Sequence, residues 1–343
     1  MKIAIHHTPN TFSDTWIAYC QEKRIAYQLV NCYDSNIIEQ LIDCDALLWH
    51  HDHAKYKDLL FAKQLLFSLE QAGKIVFPNA KTTWHFDDKV GQKYLLEAIH
   101  APLVPSFVFY DKEQAMTWAK DTNYPKVFKL RGGAGARNVK LIKTKKQAIK
   151  KINRAFGRGF SPFDRVGLLK ERWRRFKMKE DTFLGVMKGV GRLFIPTEFA
   201  KMSNREKGYV YFQDFIPNNE FDTRVVVIHG EKALAERRFV RKNDFRASGS
   251  GKFDYNDIHP EIIKQAFKIA QQLELQSIAF DFVLKDGKPL VIEMSYGYGT
   301  QGISNAPGYW DANLNWHEGK YDSQKWVIEK IIQDIKKKNE KEN

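Results

Sequence analysis

The sequence predicts an α/β chain in two parts: a small parallel-sheet domain over residues 1–101, then a larger α+β region over 102–340. Three observations carry this expectation. Short apolar runs alternate with amphipathic stretches over residues 2–77, the spacing of parallel strands joined by helices. The pattern then breaks at Ala101-Pro102 and Pro105. Near the other end two apolar runs, AFDFVL and PLVIEMS, flank Lys285-Asp286-Gly287-Lys288, which reads as a hairpin because Asp-Gly tolerates the positive φ of a tight turn.

Composition narrows the class. With 343 residues, 43% of them hydrophobic and 13% aromatic, the chain can bury a real core, and no apolar run approaches the length that spans a bilayer. The start, MKIAIHHTPN, is too short for a signal-peptide core, which makes a cytoplasmic protein the expectation. Cys20, Cys32 and Cys44 are odd in number with no close pair, so they read as reduced, buried thiols rather than a disulfide or zinc framework. The net charge of +14 calls for an anion: nucleic acid, a membrane surface or a phosphate ligand. Positive residues cluster at 143–151, 170–179, 237–246 and 336–341, two of these runs beside glycine-rich segments, and the last 13 residues, IIQDIKKKNEKEN, read as a frayed polar end.

In chain order, 2–5 is a strand, 13–23 a helix and 27–30 a strand. A helix begins at 37–41, a strand at 46–49 runs into His50-His51-Asp52-His53, and a helix at 59–72 ends at Gly73 before a strand at 75–77. Ligands of open parallel sheets meet the carboxyl ends of strands, where His6, His7 and the 50–53 run fall. Histidine is a common metal ligand, but no further spaced pair supports a metal here, so a substrate-contacting loop is preferred. Residues 79–83 are expected as a loop, and 84–99 as a helix carrying Asp87, Asp88, Lys89 and Lys93, with Trp84, Phe86 and Tyr94 in the core.

Strands at 106–110, 126–130 and 138–142 and helices at 113–120 and 145–156 follow. Between the second and third strands lies RGGAGAR, whose backbone N–H groups can approach phosphate closely although the GxxxxGK[ST] pattern is absent. From 157 to 208 periodicity is poor and WRRF mixes charge with rings, as in an insertion. Such interleaving can stack on single-stranded nucleic acid, but a solvated segment or a lid over an anionic substrate is preferred. Strands at 209–216, 223–229 and 233–239 come next, where Arg224, Arg237 and Arg238 are expected to pair across strands with Glu231 or Glu236. A glycine and serine loop at 243–251, a helix at 262–273, the hairpin at 277–295, a Gly-rich loop at 296–307 and a last helix at 323–336 complete the chain.

Within the hairpin, Phe280, Phe282, Leu290 and Ile292 are expected on one face and Asp281 and Glu293 on the other, with Ser295 following Glu293 by the strand period of two. Such a row of oxygens suits Mg²⁺, which takes one or two carboxylates plus phosphate.

The order Lys89, Lys129 with a Gly-rich loop, YFQDFIP, FDTRVVVIHG, RFVRKNDFRASGSG, then Asp281 and Glu293 resembles the ATP-grasp superfamily, and within it the glutathione synthetase and RimK-like ligases. The resemblance covers residues 84–302, with 1–79 similar to the small domain that precedes the ATP-grasp fold. It implies an ATP-grasp fold of two α+β subdomains, with ATP and Mg²⁺ as cofactors. By the same resemblance Lys89 and Lys129 hold phosphates, and Gly132, Gly133 and Gly135 form a flap over them. Gln213, Asp214, Phe215 and Ile216 form the adenine hinge, and Asp222 takes the ribose. Arg246, with Ser248 and Arg238, stabilises an acyl phosphate, and Asp281, Glu293 and Ser295 bind metal. Ser295 stands where the family usually carries a carboxamide, and a hydroxyl is the weaker ligand.

The implied activity is an ATP- and Mg²⁺-dependent carboxylate–amine ligase that forms an amide through an acyl phosphate and releases ADP and phosphate. Two anions meet in the first step, so positioning and cationic screening supply most of the catalysis. A phosphotransferase on the same fold and a basic nucleic-acid-binding protein are the alternatives. The expected partners are small-molecule carboxylate and amine substrates, with a weak pointer from the basic insertion to an acidic acceptor. Neither nucleic acid nor membrane is expected, and a homodimer is left open.

Overall fold

The computed structural model describes residues 1–133, 138–161, 169, 172–173, 176–177, 182–194, 204–241, 244–247, 249 and 251–342. The chain opens with β1 (Lys2–His6), α1 (Phe12–Glu22), β2 (Ala26–Val30), α2 (Ile37–Gln40), β3 (Ala46–Trp49), α3 (Tyr56–Gln71) and β4 (Ile75–Phe77). The four strands form a parallel sheet in the order β2-β1-β3-β4. Strand alternation sends Ile3, Ile5, Leu48 and Phe77 to one face and Ala4, Leu47, Trp49 and Val76 to the other, so both faces are apolar and both are covered.

The next stretch departs from expectation twice. Residues 79–83 form a short helix, α4 (Ala80–Thr83), because the Asn79 side chain accepts from Thr82 N. The following helix, α5 (Lys89–Ala98), begins only at Lys89: Asp88 caps it by accepting from Gly91 N at 2.9 Å, and Asp87 takes a φ of 55°. Trp84 and Tyr94 are therefore 40% and 46% exposed, and only Phe86 joins the core.

An antiparallel sheet in the order β5-β8-β6-β7 is built from β5 (Ser106–Phe109), β6 (Lys126–Lys129), β7 (Lys140–Ile142) and β8 (Val210–Asp214). It packs with α6 (Lys112–Asp121) and α7 (Lys145–Ala155) around Phe128, Ile152 and Phe212. Only α8 (Phe183–Phe194) represents the expected insertion as a regular element among the described residues.

The largest sheet comes from β9 (Phe221–Ile228), β10 (Lys232–Phe239), β11 (Phe253–Asp254), α9 (Pro260–Gln272), β12 (Ser277–Lys285), β13 (Lys288–Ser295), α10 (Thr300–Ile303), β14 (Gly308–Asp311), β15 (Trp316–Glu318) and α11 (Ser323–Glu342). Its strand order is β13-β12-β9-β10-β14-β15, with β11 on β10. The short strands β11, β14 and β15 and the helix α10 inside the Gly-rich loop are not anticipated by periodicity. The expected frayed end is also helix, because Ile331, Ile332 and Ile335 continue the buried stripe of Val327 and Ile328. Each such side chain contributes about 1.5–3 kcal/mol when fully buried. The three cysteines are free and buried. Among the described residues no helix is long and apolar enough to cross a membrane.

Candidate active site

The β12–β13 hairpin turns as Asp-Gly predicts, with φ of 52° at Asp286 and 74° at Gly287, and Asp281 and Glu293 are cross-strand partners. One face differs from expectation. The register shifts between Asp281 and Phe282, so Phe282 pairs with Val291 and Ile292 is the extra residue of a bulge. Val291 and Met294 therefore fill the core beside Phe280 and Phe282, while Ile292 turns to the same side as Glu293 and Leu290 lies outside the core cluster.

A cavity of about 490 Å³ opens beside this row. Its walls carry Lys129, Gln213, Asp214, Phe215, Ile216, Asp222, Arg238, Arg246, Asp281, Glu293 and Ser295, drawn from both antiparallel sheets and the loop after β10. Lys89 lies alongside: its Nζ is 3.7 Å from Glu293 Oε1 and donates to Gly133 O at 2.8 Å. Gly133 N donates to Asp87 Oδ1 at 2.7 Å, and a Cβ on Gly132 would come within 3.1 Å of Asp87 Oδ2, so the start of the Gly-rich loop is pinned to the turn before α5. Gly135 and Ser248 lie outside the described residues.

Lys129 is 5% exposed, and burial pushes its pKa down to about 8 against the opposing pull of Glu293. Gln213 Nε2 donates to Ser106 Oγ at 3.1 Å and Ile292 O at 3.3 Å, which ties β8 to the bulge. Asp214 Oδ1 takes Lys126 Nζ at 2.5 Å, and its backbone N–H is used by Pro105 O. Phe215 and Ile216 follow the last ladder position of β8. In the loop after β10, Arg246 grips Asp244, with Nε 2.8 Å from Oδ2.

A charge network forms the floor. Arg238 donates to both oxygens of Asp222 at 2.7 Å and reaches Asp281 Oδ2 at 2.7 Å, and Arg224 grips Asp281 at 2.9 and 3.1 Å. The expected pairing of Arg224, Arg237 and Arg238 with Glu231 or Glu236 is thus corrected: Arg237 pairs with Asp254, and Glu231 with Lys330. The register of β9 does set Arg224 opposite Glu236 on one side, as expected. It also sets Arg224 opposite Asp281 and Asp222 opposite Arg238, and the guanidinium groups bond to those two aspartates. Burial alone would raise both acids. Two arginines outweigh it at Asp281 and hold that carboxyl below the usual range, whereas Asp222, with one arginine close by, is raised.

The oxygens suit a divalent cation. Asp281 uses three of roughly four lone-pair positions on arginines, Glu293 is half-buried with Lys89 3.7 Å away, and Ser295 lines the same wall. Among the described residues no group of three His, Cys, Asp or Glu side chains could hold a metal alone. A cation placed here would take its remaining ligands from phosphate oxygens, as Mg²⁺ does. The 50–53 run offers no metal cluster either: His50 stacks on Phe12 with ring centroids 3.7 Å apart, and His51 Nε2 meets Thr83 Oγ1 at 2.7 Å.

Three residues escape the sequence reading. Arg224 follows Asp222 by two positions, so any strand that turns Asp222 to the cavity turns Arg224 there too, a signal present in FDTR. Asp87 and Glu236 are anticipated only as a helix residue and a cross-strand partner, not as parts of the site. Glu236 is 2% exposed, its Oε2 has no hydrogen-bond partner among the described residues, and burial raises its pKa to about 7 against Arg224 and Arg238.

Comparison with known proteins bears on the fold. Residues 199–313 match the RimK-like ATP-grasp domain, and residues 88–180 match the ATP-binding domain of the carbamoyl-phosphate synthase L chain. No curated protein sequence matches the chain. Among solved structures, D-alanine–D-alanine ligase from Bacillus anthracis, complexed with ATP, is similar with a TM-score of 0.58 at 14% identity, covering 98% of this chain and 99% of that one. D-cycloserine synthetase is similar with a TM-score of 0.60 at 12% identity, covering 96% of this chain and 100% of that one. The ATP-grasp ligase PsnB, complexed with minimal precursor, Mg and ADP, is similar with a TM-score of 0.55 at 14% identity, covering 98% of each chain. The fold is that of the ATP-grasp proteins.

Proposed function

We propose that this chain, a member of the ATP-grasp superfamily, is an ATP- and Mg²⁺-dependent ligase that joins a carboxylate to an amine through an acyl phosphate. The observation that carries the reading is the single cavity in which Lys129, Arg224, Arg238 and Arg246 face Asp281, Glu293 and Ser295. Cations alone would serve any anion. Cations interleaved with a carboxylate pair serve a metal-bound polyphosphate.

In this reading Lys89 and Lys129 hold the phosphates, and Gly132, Gly133 and Gly135 serve as the flap. Gln213, Asp214, Phe215 and Ile216 border the adenine, and Asp222 borders the ribose. Asp281, Glu293 and Ser295 would hold Mg²⁺, which would supply neutralisation of phosphate charge. Arg238, Arg246 and Ser248, with Arg224, draw the substrate carboxylate toward the γ-phosphorus. One carboxylate oxygen forms the new O–P bond as the bond to ADP breaks. The amine nitrogen then forms the C–N bond as the acyl C–O bond breaks, and phosphate leaves. Arginine suits this duty because its charge persists at any working pH and its planar fork matches carboxylate and phosphate.

The test is nucleotide binding and product analysis on the intact protein. Glu293→Gln is expected to lower turnover by about a hundredfold, the scale of losing one charge-stabilising group at a reacting centre. ADP and free phosphate should appear together only when a carboxylate and an amine are both supplied. Failure to bind MgATP, or ADP formed with phosphate left on a substrate, would overturn the reading.

A further inference from the structure

A second cavity of about 530 Å³ lies at the carboxyl ends of β1 and β3 and shares Gly297, Tyr298 and Gly299 with the first. Its character is opposite. The chain carries a net charge of +14, yet no lysine or arginine is among the described residues of this wall, whose charged groups are Asp14, Asp52 and Asp322 beside histidines. Burial lowers the pKa of His50 to about 4 and that of His51 well below its usual value, so neither supplies positive charge near neutrality.

Two buried polar atoms in this wall lack partners among the described residues. Gln324, 1% exposed, donates from Nε2 to Tyr298 OH at 2.9 Å, but its Oε1 receives nothing. His51, also 1% exposed, meets Thr83 through Nε2 and leaves Nδ1 unpaired. A buried acceptor without a donor is costly to folding, so its persistence at a cavity wall points to a ligand that completes it. Gln324 N also donates to Asp322 Oδ1 at 2.9 Å, and both residues line the cavity, so an unpaired amide carbonyl and a carboxylate share one wall. Carboxylates and an amide carbonyl only accept. Their complement is a group that only donates and carries positive charge.

We propose that the second cavity takes the amine substrate as an alkylammonium, a basic amine without a carboxylate of its own, docked on Asp322 and Gln324 Oε1 in the field of Asp14 and Asp52. This rests on the ligase reading for the reaction that follows. The strip 297–299, common to both cavities, is where the nitrogen meets the acyl group. The ammonium gives one proton to Asp52, whose side chain is 40% exposed, and through it to solvent. The freed lone pair forms the C–N bond, the acyl C–O bond to phosphate breaks, and the second proton leaves with the phosphate as hydrogen phosphate.

The experiment titrates the intact protein with n-butylamine and, separately, with glutamate, following binding by saturation-transfer NMR, and measures MgATP binding in parallel. Butylamine is expected to bind and glutamate to bind far more weakly. Asp322→Asn should weaken butylamine by about tenfold or more, as for a hydrogen bond to a charged group. Asp14→Asn, at a side chain 48% exposed, provides a second variant that does not disturb packing and should weaken it less. MgATP binding with no butylamine binding, with glutamate bound as well as butylamine, or with both variants binding butylamine like the parent, overturns the proposal and leaves the ligase reading standing. Butylamine binding lost on Asp322→Asn in a protein that binds no MgATP upholds the cavity assignment and removes the ligase reading.

Discussion

Arg238 on β10 and Asp281 on β12 are joined at 2.7 Å although β9 lies between their strands. The intervening strand supplies Asp222 and Arg224, so four charges alternate in sign across three strands and sum to zero. Truncating Arg238 leaves Asp222, which is 9% exposed, without its bidentate partner. Arg238→Met is expected to destabilise the protein by about 3–5 kcal/mol in urea unfolding, the cost of breaking a buried pair from one side. Arg238→Met with Asp222→Leu should recover much of that loss. A double variant no more stable than the single would show that the pair is not the source.

Lys129 predicts a pH dependence. Its folded pKa of about 8 lies below the ordinary lysine value of 10.5, so burial penalises the charged form below pH 8 and the penalty fades as pH rises from 8 to 10.5. A bound polyphosphate reverses the preference and holds the proton on Lys129. ATP binding should therefore take up a proton near pH 8 and weaken above it, by at most about tenfold per pH unit. Calorimetry in buffers of different ionisation enthalpy measures the uptake. Lys129→Met should abolish it, and an unchanged uptake in that variant would exclude Lys129 as the group.

Glu236 predicts the opposite slope. Its folded pKa of about 7 exceeds 4.5, so the ionised form costs stability that is absent below pH 4.5, grows between 4.5 and 7, and is complete above. Glu236→Gln should match the parent at pH 4.5 and exceed it at pH 8 by on the order of 2–3 kcal/mol. Chemical denaturation at the two pH values decides this, and equal stability at pH 8 would place the compensation on Arg224 and Arg238.

Local signals were legible and non-local ones were not. The β-α-β opening and the Asp286-Gly287 turn follow from periodicity and from residues that tolerate positive φ, which are properties of a few adjacent positions. The partners of Arg224 and Arg238 depend on β9 lying between β10 and β12, and strand order is not written in any one strand. The bulge at Ile292 needs the register of the opposite strand, so strict alternation assigned Leu290 and Ile292 to the core, where Val291 and Met294 sit instead. At α5 the apolar Trp84 and Phe86 extended the helical pattern backward past the cap at Asp88. The cavity under Asp322 and Gln324 joins segments from both ends of the chain, a meeting no motif announces.

The helix Ser323–Glu342 packs Val327, Ile328 and Ile331 into the cluster that also holds Ile3, Ile5 and Trp16. During synthesis the first sheet leaves the ribosome long before this helix exists. At translation rates of about 5–20 residues per second, the apolar surface of α1 and β4 that this helix covers waits for many seconds without its partner. The order of manufacture therefore leaves the first part of the chain in need of shelter until its last part arrives.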